Sequence, residues 1–453
     1  MFKFLLIWRY FIRKRVTMIA VIAVTLLVMM VLIVLSVMSG LVEQACRRNH
    51  NWTGDIILSR ESLVGFPFYD DFISELRRND IVLEATPVIN TFALIESATP
   101  AQLIGIRLSE FCRVTGFAHV LTNRLNGNHD LSFTVPESRN TRFRPRLTPE
   151  RKSRGAFVGR YVDIPFLQFT APPRDISLTV FGLSSKGVLT GSEAGENQNF
   201  SIIGEHRAGL VDIDQAILID FDELQKFSLM DGLTDGRPPR TSEIRVKIRP
   251  GIGLDTARVE IFALWKRFIR QKKIDENTQN VASLLEDVTI QTWRRYRHDF
   301  IAPMEKEKSL MVIVFCMIGL VAVFIVFAIF YMIVTEKIKD IGIIKSLGGS
   351  RWALTRLFLA YGALVGVVGA LMGTAIGWCI VVKSNNIEGW LNNHFGFRLW
   401  DPAVYVIDKI PDTVDITQAV IIAAVAIMAA VLGAAVPAHR AGQLAAVEAL
   451  RVE

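Results

Sequence analysis

The chain has 453 residues, of which 51% are hydrophobic and 21% charged, and its formal net charge is +7. Much of this charge lies beside apolar segments, so it requires no nucleic-acid partner. Phosphate-loop, zinc-protease and serine-hydrolase motifs are absent, and the seven histidines show no paired metal spacing. The sequence therefore predicts no catalytic residues, no bound metal and no cofactor of its own.

Four long apolar segments carry no charged residue over 22 or more positions: Val16–Val42, Ser309–Val334, Leu357–Val382 and Ile416–Ala438. About 20 helical residues cross the ~30 Å hydrocarbon layer, and a helix in lipid satisfies its own backbone hydrogen bonds. We therefore predict an integral membrane protein with four transmembrane helices. Because these segments contain no Asp, Glu, Lys, Arg or His, a proton- or ion-coupled transporter that uses intramembrane charges is disfavoured.

Residues 1–15 mix apolar and basic side chains and predict an interfacial helix on the membrane surface. A simple topogenic prefix to the first span explains them equally well. The span at 16–42 is far longer than the 7–15 residues of a signal-peptide core, which favours an uncleaved anchor.

Basic residues predict the orientation of the chain. Residues 1–15 carry five basic and no acidic side chains, and 335–356 carries five against two. The loop 383–415 carries three basic and five acidic side chains. Basic residues accumulate in cytoplasmic loops. Both termini, including the tail 439–453, and the 335–356 loop are therefore predicted in the cytoplasm, and 43–308 outside.

The outer region 43–308 is predicted as a large mixed α+β domain. β-rich runs occur at Asp55–Ser59, Thr91–Glu96, Gln102–Ile106, Asp175–Phe181, Ser201–Gly204, Gln215–Ile219 and Glu243–Ile248. Helical patterns occur at Tyr69–Arg78, Phe221–Ser228 and Leu254–Gln271. The stretches 123–155 and 184–199 are predicted as loops. Cys46 and Cys112 either pair or remain thiols.

The third span is dense in glycine, with Gly362, Gly366, Gly369, Gly373 and Gly377. Small residues at four-residue spacing let helix backbones approach closely. We expect this helix to pack against other helices, either within the chain or across an oligomer interface. Tolerance of bends is the alternative explanation.

The segment 335–356 between the second and third spans is short, basic and amphipathic. It includes Glu336, Lys339, Asp340, Ile341, Gly342, Ile344, Lys345, Leu347, Gly348 and Arg351. Such a segment suits contact between a membrane subunit and a soluble motor. It also suits a cytoplasmic loop that only orients the protein.

Several runs resemble the permeases of the MacB/FtsX superfamily, and most closely their lipoprotein-releasing (Lol-type) members. These runs are VLSVMSGL at 34–41, GEHRAGLVDID at 204–214, Thr292-Trp293 with EKEK at 305–308, KDIGIIKSLG at 339–348, WDPAVY at 400–405 with Ile410-Pro411, and VEALR at 447–451. The chain departs from the family at Lys339-Asp340, where Arg-Glu is usual, and at Ala445-Ala446, where Asp-Pro is common.

The resemblance implies an FtsX-like permease domain at 309–453 and a MacB-like periplasmic domain in a bacterial inner-membrane protein. It also implies a dimer with itself or a homologous subunit, and a separate ABC ATPase that holds ATP and Mg. Residues 336–351 would form the coupling helix, with Ile338, Ile341, Ile344 and Leu347 in a groove of that ATPase. Gly348-Gly349 would end this helix, because glycine adopts the left-handed conformation at little cost. Lys339 and Lys345 would pair with its acids.

The resemblance further implies membrane lipid, lipoprotein cargo and a soluble periplasmic carrier as partners. Two alternatives remain open, namely a signal transmitter that activates a periplasmic hydrolase and an efflux permease for small molecules or peptides. A structural anchor would not explain the 336–351 motif.

Overall fold

The computed structural model describes residues 15–60, 62–96, 99–119, 121–122, 133, 154–162, 175–180, 196–233, 238–274, 279–346, 348, 350–396, 400 and 409–443. The interfacial helix expected at 1–15, nearly all of 123–153, Leu347, and the motifs at 401–405 and 447–451 lie outside these residues. The chain divides into two compact units. One unit comprises residues 1–44 and 302–453, and the other comprises 45–301.

The helices in chain order are α1 Arg15–Thr53, α2 Tyr69–Arg78, α3 Leu108–Val114, α4 Val211–Asp214, α5 Phe221–Phe227, α6 Leu254–Ile274, α7 Gln279–Glu286, α8 Trp293–Tyr296, α9 His298–Glu336, α10 Ile338–Ser346, α11 Arg351–Val382, α12 Ser384–Phe395 and α13 Ile416–Gln443. The strands are β1 Ile56–Ser59, β2 Phe66–Pro67, β3 Val82–Ile95, β4 Thr99–Ile106, β5 Leu121–Thr122, β6 Arg154–Gly159, β7 Asp175–Val180, β8 Glu196–His206, β9 Ala216–Asp220, β10 Arg240–Thr241, β11 Glu243–Ile248 and β12 Thr289–Thr292.

Four of these helices, α1, α9, α11 and α13, are long and apolar enough to cross a membrane. They extend beyond the uncharged spans predicted from sequence, because a helical backbone continues to bond where charged side chains begin. Their shared core includes Val24 and Val28 of α1, Phe330 of α9, Val365 of α11 and Ala434 of α13. Together with the mixed sheet of the other unit, this confirms the predicted fold class.

The second unit is built on a mixed ten-stranded sheet in the order β12-β1-β11-β3-β4-β9-β6-β8-β5, with β7 paired to both β3 and β8. These pairings close a ring of six strands, β3-β4-β9-β6-β8-β7. The 14-residue strand β3 makes the closure possible. Its first half pairs with β11, and its last residues, Ala93 to Ile95, pair with β7.

Two apolar cores stabilise this unit. In the larger core, α2 and α6 pack on the sheet through Phe72, Leu76, Ile261 and Trp265, which are all buried. The indole of Trp265 makes edge contacts with Phe66 and Phe72 at centroid distances of 5.7 and 4.6 Å. Such aromatic pairs stabilise a fold beyond the area they bury. The smaller core gathers Trp52, Phe111 and Phe117 beneath β4 and β9.

The predicted elements of this unit mostly match the observed ones. Helix α2 and strand β11 have the predicted bounds, and the other predicted elements differ at their ends. Two loop predictions are wrong in part, because residues 196–199 belong to β8 and residues 154–155 to β6. These residues are held in strands by backbone hydrogen bonds to neighbouring strands. Local composition does not show which strands will pair.

His206 at the end of β8 is fully buried in the smaller core. Its Nε2 lies 3.0 Å from the carbonyl oxygen of Ile213, and its ring meets Phe117 edge-on at 6.0 Å. Burial lowers the pKa of His206 to about 4, because the charged imidazolium is poorly solvated there. The histidine is therefore neutral in the folded protein at pH 7.

We expect stability to fall as the pH drops from about 6.5 to about 4, because there the unfolded chain binds a proton that the folded His206 does not. A shift of this size corresponds to a loss on the order of 3 kcal/mol across that interval. His206→Phe should flatten this part of the curve. The measurement is the thermal unfolding of wild type and variant between pH 7 and 4. An unchanged slope in the variant would assign the pH dependence to other groups.

Candidate functional site

The segment that links the second and third membrane helices forms a short helix between two breaks. Helix α9 ends at Glu336, and the N–H of Lys337 donates to the carbonyls of Ile333 and Val334 as the chain turns into α10. After α10, Gly348 has φ +90°, a conformation that glycine adopts at little cost. Ser350 then caps α11, its Oγ accepting from Ala353 N–H at 3.2 Å. The predicted coupling helix within 336–351 therefore begins later than expected, because Glu336 still belongs to α9, and α10 spans nine residues. Its end before Gly348 agrees with the prediction that Gly348-Gly349 stops the helix.

The inner side of α10 packs on its own chain. Ile341 is only 2% exposed and lies in a cluster with Val334, Leu354 and Ala441, and Ile344 packs against the same cluster. Gly342 is also buried. The prediction that Ile341 inserts into a groove of a partner is therefore wrong. Its apolar surface is already covered by α9, α11 and α13, which the residue spacing alone could not show.

The outer side of α10 presents a different set of residues. Ile343 is 50% exposed, and Trp352 at the start of α11 is 73% exposed. Lys339 and Ser346 are also exposed. The sequence pattern emphasised residues at three-residue spacing and therefore missed Ile343 and Trp352. Trp352 could have been recognised from the sequence, because it is a large aromatic residue that lies outside the apolar span and two residues after the capping Ser350.

Charged groups surround this surface. Lys337 Nζ lies 2.5 Å from Asp340 Oδ2, so Asp340 is paired within the segment. Partial burial and the nearby Arg351 guanidinium both lower the pKa of Lys345, because each disfavours the charged amine. Glu336 and Arg351 are exposed at the two ends of the segment. The site therefore combines two exposed apolar side chains with basic groups, an arrangement that fits a partner surface with an apolar pocket and acidic residues.

The five glycines of α11 all contact other helices of the same chain. A Cβ added at Gly362 or Gly366 would lie 2.6 or 2.9 Å from the Cβ of Ala434 or Ala430 on α13. The other three glycines, Gly369, Gly373 and Gly377, face α1, where added Cβ atoms would meet Val24, Thr25 or Leu32. At the first four positions an added Cβ would lie only 2.6 to 2.9 Å from its nearest neighbour, which is closer than side-chain atoms approach each other, and at Gly377 the distance is 3.1 Å. The glycines therefore allow α11 to approach α1 and α13 within one chain.

A second set of polar residues, which the sequence did not single out, lies in the sheet unit. Arg297, just before α9, is buried and makes a bidentate pair with Asp212 of α4 at 2.8 and 3.0 Å. Its Nε donates to Asn49 Oδ1 of α1 at 2.5 Å, and its guanidinium lies 4.1 Å from the Phe300 ring centroid. One side chain thus connects α1, α4 and the start of α9.

Two buried side chains of strand β11, Arg245 and Glu243, make further polar contacts with the end of α1 and with α8. Arg245 Nη1 donates to the carbonyl of Trp52 at 2.7 Å, and its guanidinium lies 5.0 Å from the Trp52 ring centroid. Glu243 accepts from Arg245 and from the hydroxyl of Tyr296. Burial and the adjacent Glu243 carboxylate both raise the pKa of Tyr296, which therefore stays protonated as a donor.

Asp55 anchors the residues that follow α1. Its carboxylate accepts from the Ile248 N–H at 2.9 Å and lies 2.6 Å from His50 Nε2 and 3.2 Å from Lys247 Nζ. Burial raises the pKa of Asp55, but these three partners together lower it below the usual value. The His50 ring in turn stacks on Trp293 at 4.9 Å.

Other candidate chemistry is limited within the described residues. Cys46 and Cys112, whose pairing the sequence left open, form no disulfide with each other in the structure. Burial raises the pKa of the Cys112 thiol. No group of three or more His, Cys, Asp and Glu side chains in the described part of the chain is arranged to hold a metal ion.

Residues 312–444 match the FtsX-like permease C-terminal domain family. The lipoprotein-releasing system transmembrane protein LolC of Neisseria meningitidis is 30% identical over 166 residues, which cover 37% of this chain and 40% of the relative. LolC of Xylella fastidiosa is 25% identical over 257 residues, which cover 56% of each chain. The crystal structure of the periplasmic region of MacB from Actinobacillus actinomycetemcomitans matches 55% of this chain and 93% of its own at 13% identity, with a TM-score of 0.28.

The matched part of the chain thus spans about half the length of these curated relatives. The domain match contains α10, α11 and all of α13, so it includes both the segment with Ile343 and the glycine-packed helix. Residues 312–444 are thus similar to FtsX-like permease domains, and both of these curated relatives are LolC proteins of lipoprotein-releasing systems.

Proposed function

We propose that this chain is the membrane subunit of an ATP-driven transporter that releases lipoproteins from the bacterial inner membrane. The observation that carries the proposal is the FtsX-like domain at 312–444 together with the similarity to LolC proteins. The absence of a phosphate-loop sequence supports assigning ATP and Mg to a separate ATPase subunit. A second permease subunit, identical or homologous, would complete the transporter.

In this proposal both termini and α10 face the cytoplasm, and the sheet unit and the 383–415 segment face the periplasm. The distribution of basic residues supports this orientation. The ATPase binds the outer side of α10, with Ile343 and Trp352 in an apolar pocket and with Lys339, Lys345 and Arg351 opposite acidic residues.

Movement of the ATPase would be passed through α10 to α9 and α11, which it joins. Each CH₂ of an acyl chain gains about 0.8 kcal/mol from burial in lipid, so extraction of a lipoprotein requires work that ATP supplies. The released lipoprotein would pass to a periplasmic carrier.

The test is reconstitution of the full chain with its ATPase and a fluorescent triacylated lipoprotein in proteoliposomes. We expect ATP-dependent transfer of the lipoprotein to a soluble carrier. Activation of a cell-wall hydrolase without transfer would instead assign signal transmission, and ATP-dependent movement of small molecules would assign efflux. Failure to retain any ATPase would contradict all three functions.

A further inference from the structure

The segment between α11 and α13 contains a helix where the sequence led us to expect a loop. Helix α12, Ser384–Phe395, begins two residues after α11 ends at Val382. It ends at Gly396, whose φ of +65° is left-handed and whose N–H donates to the carbonyl of Asn392 at 3.0 Å. The regular end shows that α12 is a defined element of twelve residues.

The apolar residues of α12 lie on one side of the helix. Ile387, Trp390, Leu391 and Phe395 follow each other at spacings of three, one and four residues, which places them on one face. Ile387, Trp390 and Phe395 are 43%, 54% and 70% exposed. The Trp390 and Phe395 ring centroids lie 5.8 Å apart, so the exposed side chains form one continuous aromatic surface.

The polar side of α12 is turned partly toward the chain. Asn385 holds the backbone of Ile410 with two hydrogen bonds, its Nδ2 donating to the carbonyl at 3.0 Å and its Oδ1 accepting from the N–H at 2.9 Å. Glu388 and Asn392 are half-buried. The exposed side of α12 also carries the polar residues Asn386, Asn393 and His394, but a surface helix in water turns its large apolar side chains inward.

The position of α12 along the chain determines what lies against its apolar side. Only Lys383 separates it from the membrane helix α11, and a helical residue rises 1.5 Å, so α12 begins within about 5 Å of the end of that span. The headgroup layer on each side of the hydrocarbon core is of similar thickness. Tryptophan is enriched at this depth because its ring is apolar and its N–H is polar.

We propose that α12 lies in the membrane interface, with Ile387, Trp390 and Phe395 inserted among the lipid headgroups and upper acyl chains. Glu388 and the asparagines of α12 face water or the chain. Asn385 fastens this helix to Ile410, just before α13, so α12 sets the depth at which α11 and α13 meet the membrane surface. This inference depends on the chain spanning a membrane and is independent of the proposed ATPase and cargo.

The test is site-directed spin labelling of the full chain in phosphatidylcholine–phosphatidylglycerol nanodiscs, with the four native cysteines replaced by serine. Trp390→Cys carries the label on the apolar side, and Asn393→Cys is the matched control on the polar side. Leu371→Cys, on the exposed face of α11, gives the value expected in lipid. We expect the ratio of oxygen to nickel-chelate accessibility at position 390 to be severalfold higher than at 393 and lower than at 371, because Leu371 lies near the middle of a membrane span.

Two results would overturn the proposal. Equal access of the nickel chelate at 390 and 393 would place the aromatic surface in water. An immobilised label at 390 that neither reagent reaches would mean that protein, such as a second copy of the chain, covers it. Phe395→Cys provides the same comparison if Trp390→Cys does not yield a monodisperse protein.

Discussion

Replacing Ile343 with aspartate is expected to reduce binding of the ATPase by at least about tenfold, while the chain still inserts and keeps its thermal stability. Ile343 is half-exposed on the outer side of α10, so the new carboxylate is hydrated in the isolated chain. Once docked, the carboxylate would have to enter an apolar pocket, and about 1.4 kcal/mol of lost binding free energy corresponds to a factor of ten. The measurement is titration of the purified ATPase onto the chain in nanodiscs.

Four further variants separate docking from folding. Trp352→Ala should also weaken binding, and Ile343→Leu should leave it unchanged. Ile341→Asp and Gly342→Asp introduce a charge at buried positions, so we expect them to lower thermal stability first. Undiminished ATPase binding by Ile343→Asp and Trp352→Ala together would exclude the outer side of α10 as the docking surface.

Replacing Arg297 with leucine is expected to loosen the loop and short helix at 206–214. The change removes the bidentate partner of Asp212 and the donor to Asn49. Breaking a buried ion pair costs about 3–5 kcal/mol, and here we expect the lower end of that range because Asp212 keeps some contact with water. The measurement is hydrogen exchange of the amides in 206–214 and at the end of α1, in the full chain in nanodiscs.

The control is the double variant Arg297→Leu, Asp212→Leu. The double variant leaves no unpaired carboxylate. Its exchange rates should therefore be closer to the wild-type rates than the rates of the single variant Arg297→Leu are. Arg297→Lys keeps the charge but loses the two-pronged geometry, and we expect an intermediate effect. If exchange at 206–214 is the same in wild type and Arg297→Leu, the side chain does not hold this region.

The membrane helices illustrate what a sequence can establish alone. Uncharged runs of more than about 20 residues can be buried in lipid only as helices, so α1, α9, α11 and α13 were predicted correctly. The predicted helices were shorter than the observed ones, because hydropathy indicates which residues can lie in lipid and not where backbone hydrogen bonding ends.

The α10 segment shows the limit of such reasoning. The spacing of Ile338, Ile341 and Ile344 correctly indicated a helix with an apolar side. The same spacing could not distinguish an apolar side that packs on its own chain from one that meets a partner, since both bury similar side chains. Ile341 lies in one buried cluster with Leu354 and Ala441, which are distant in sequence, and this packing shows that the apolar side of α10 faces its own chain.

Local composition and short motifs were enough to establish the membrane class, the four spans, many elements of the sheet unit and the resemblance to the MacB/FtsX superfamily. Only the tertiary structure identified Arg297 as the link between α1, α4 and α9, and Ile343 and Trp352 as the exposed residues near α10. Their roles depend on which distant residues surround them. The burial of a side chain and its choice of partner depend on packing between segments that are far apart in the chain. A local sequence pattern does not contain this information.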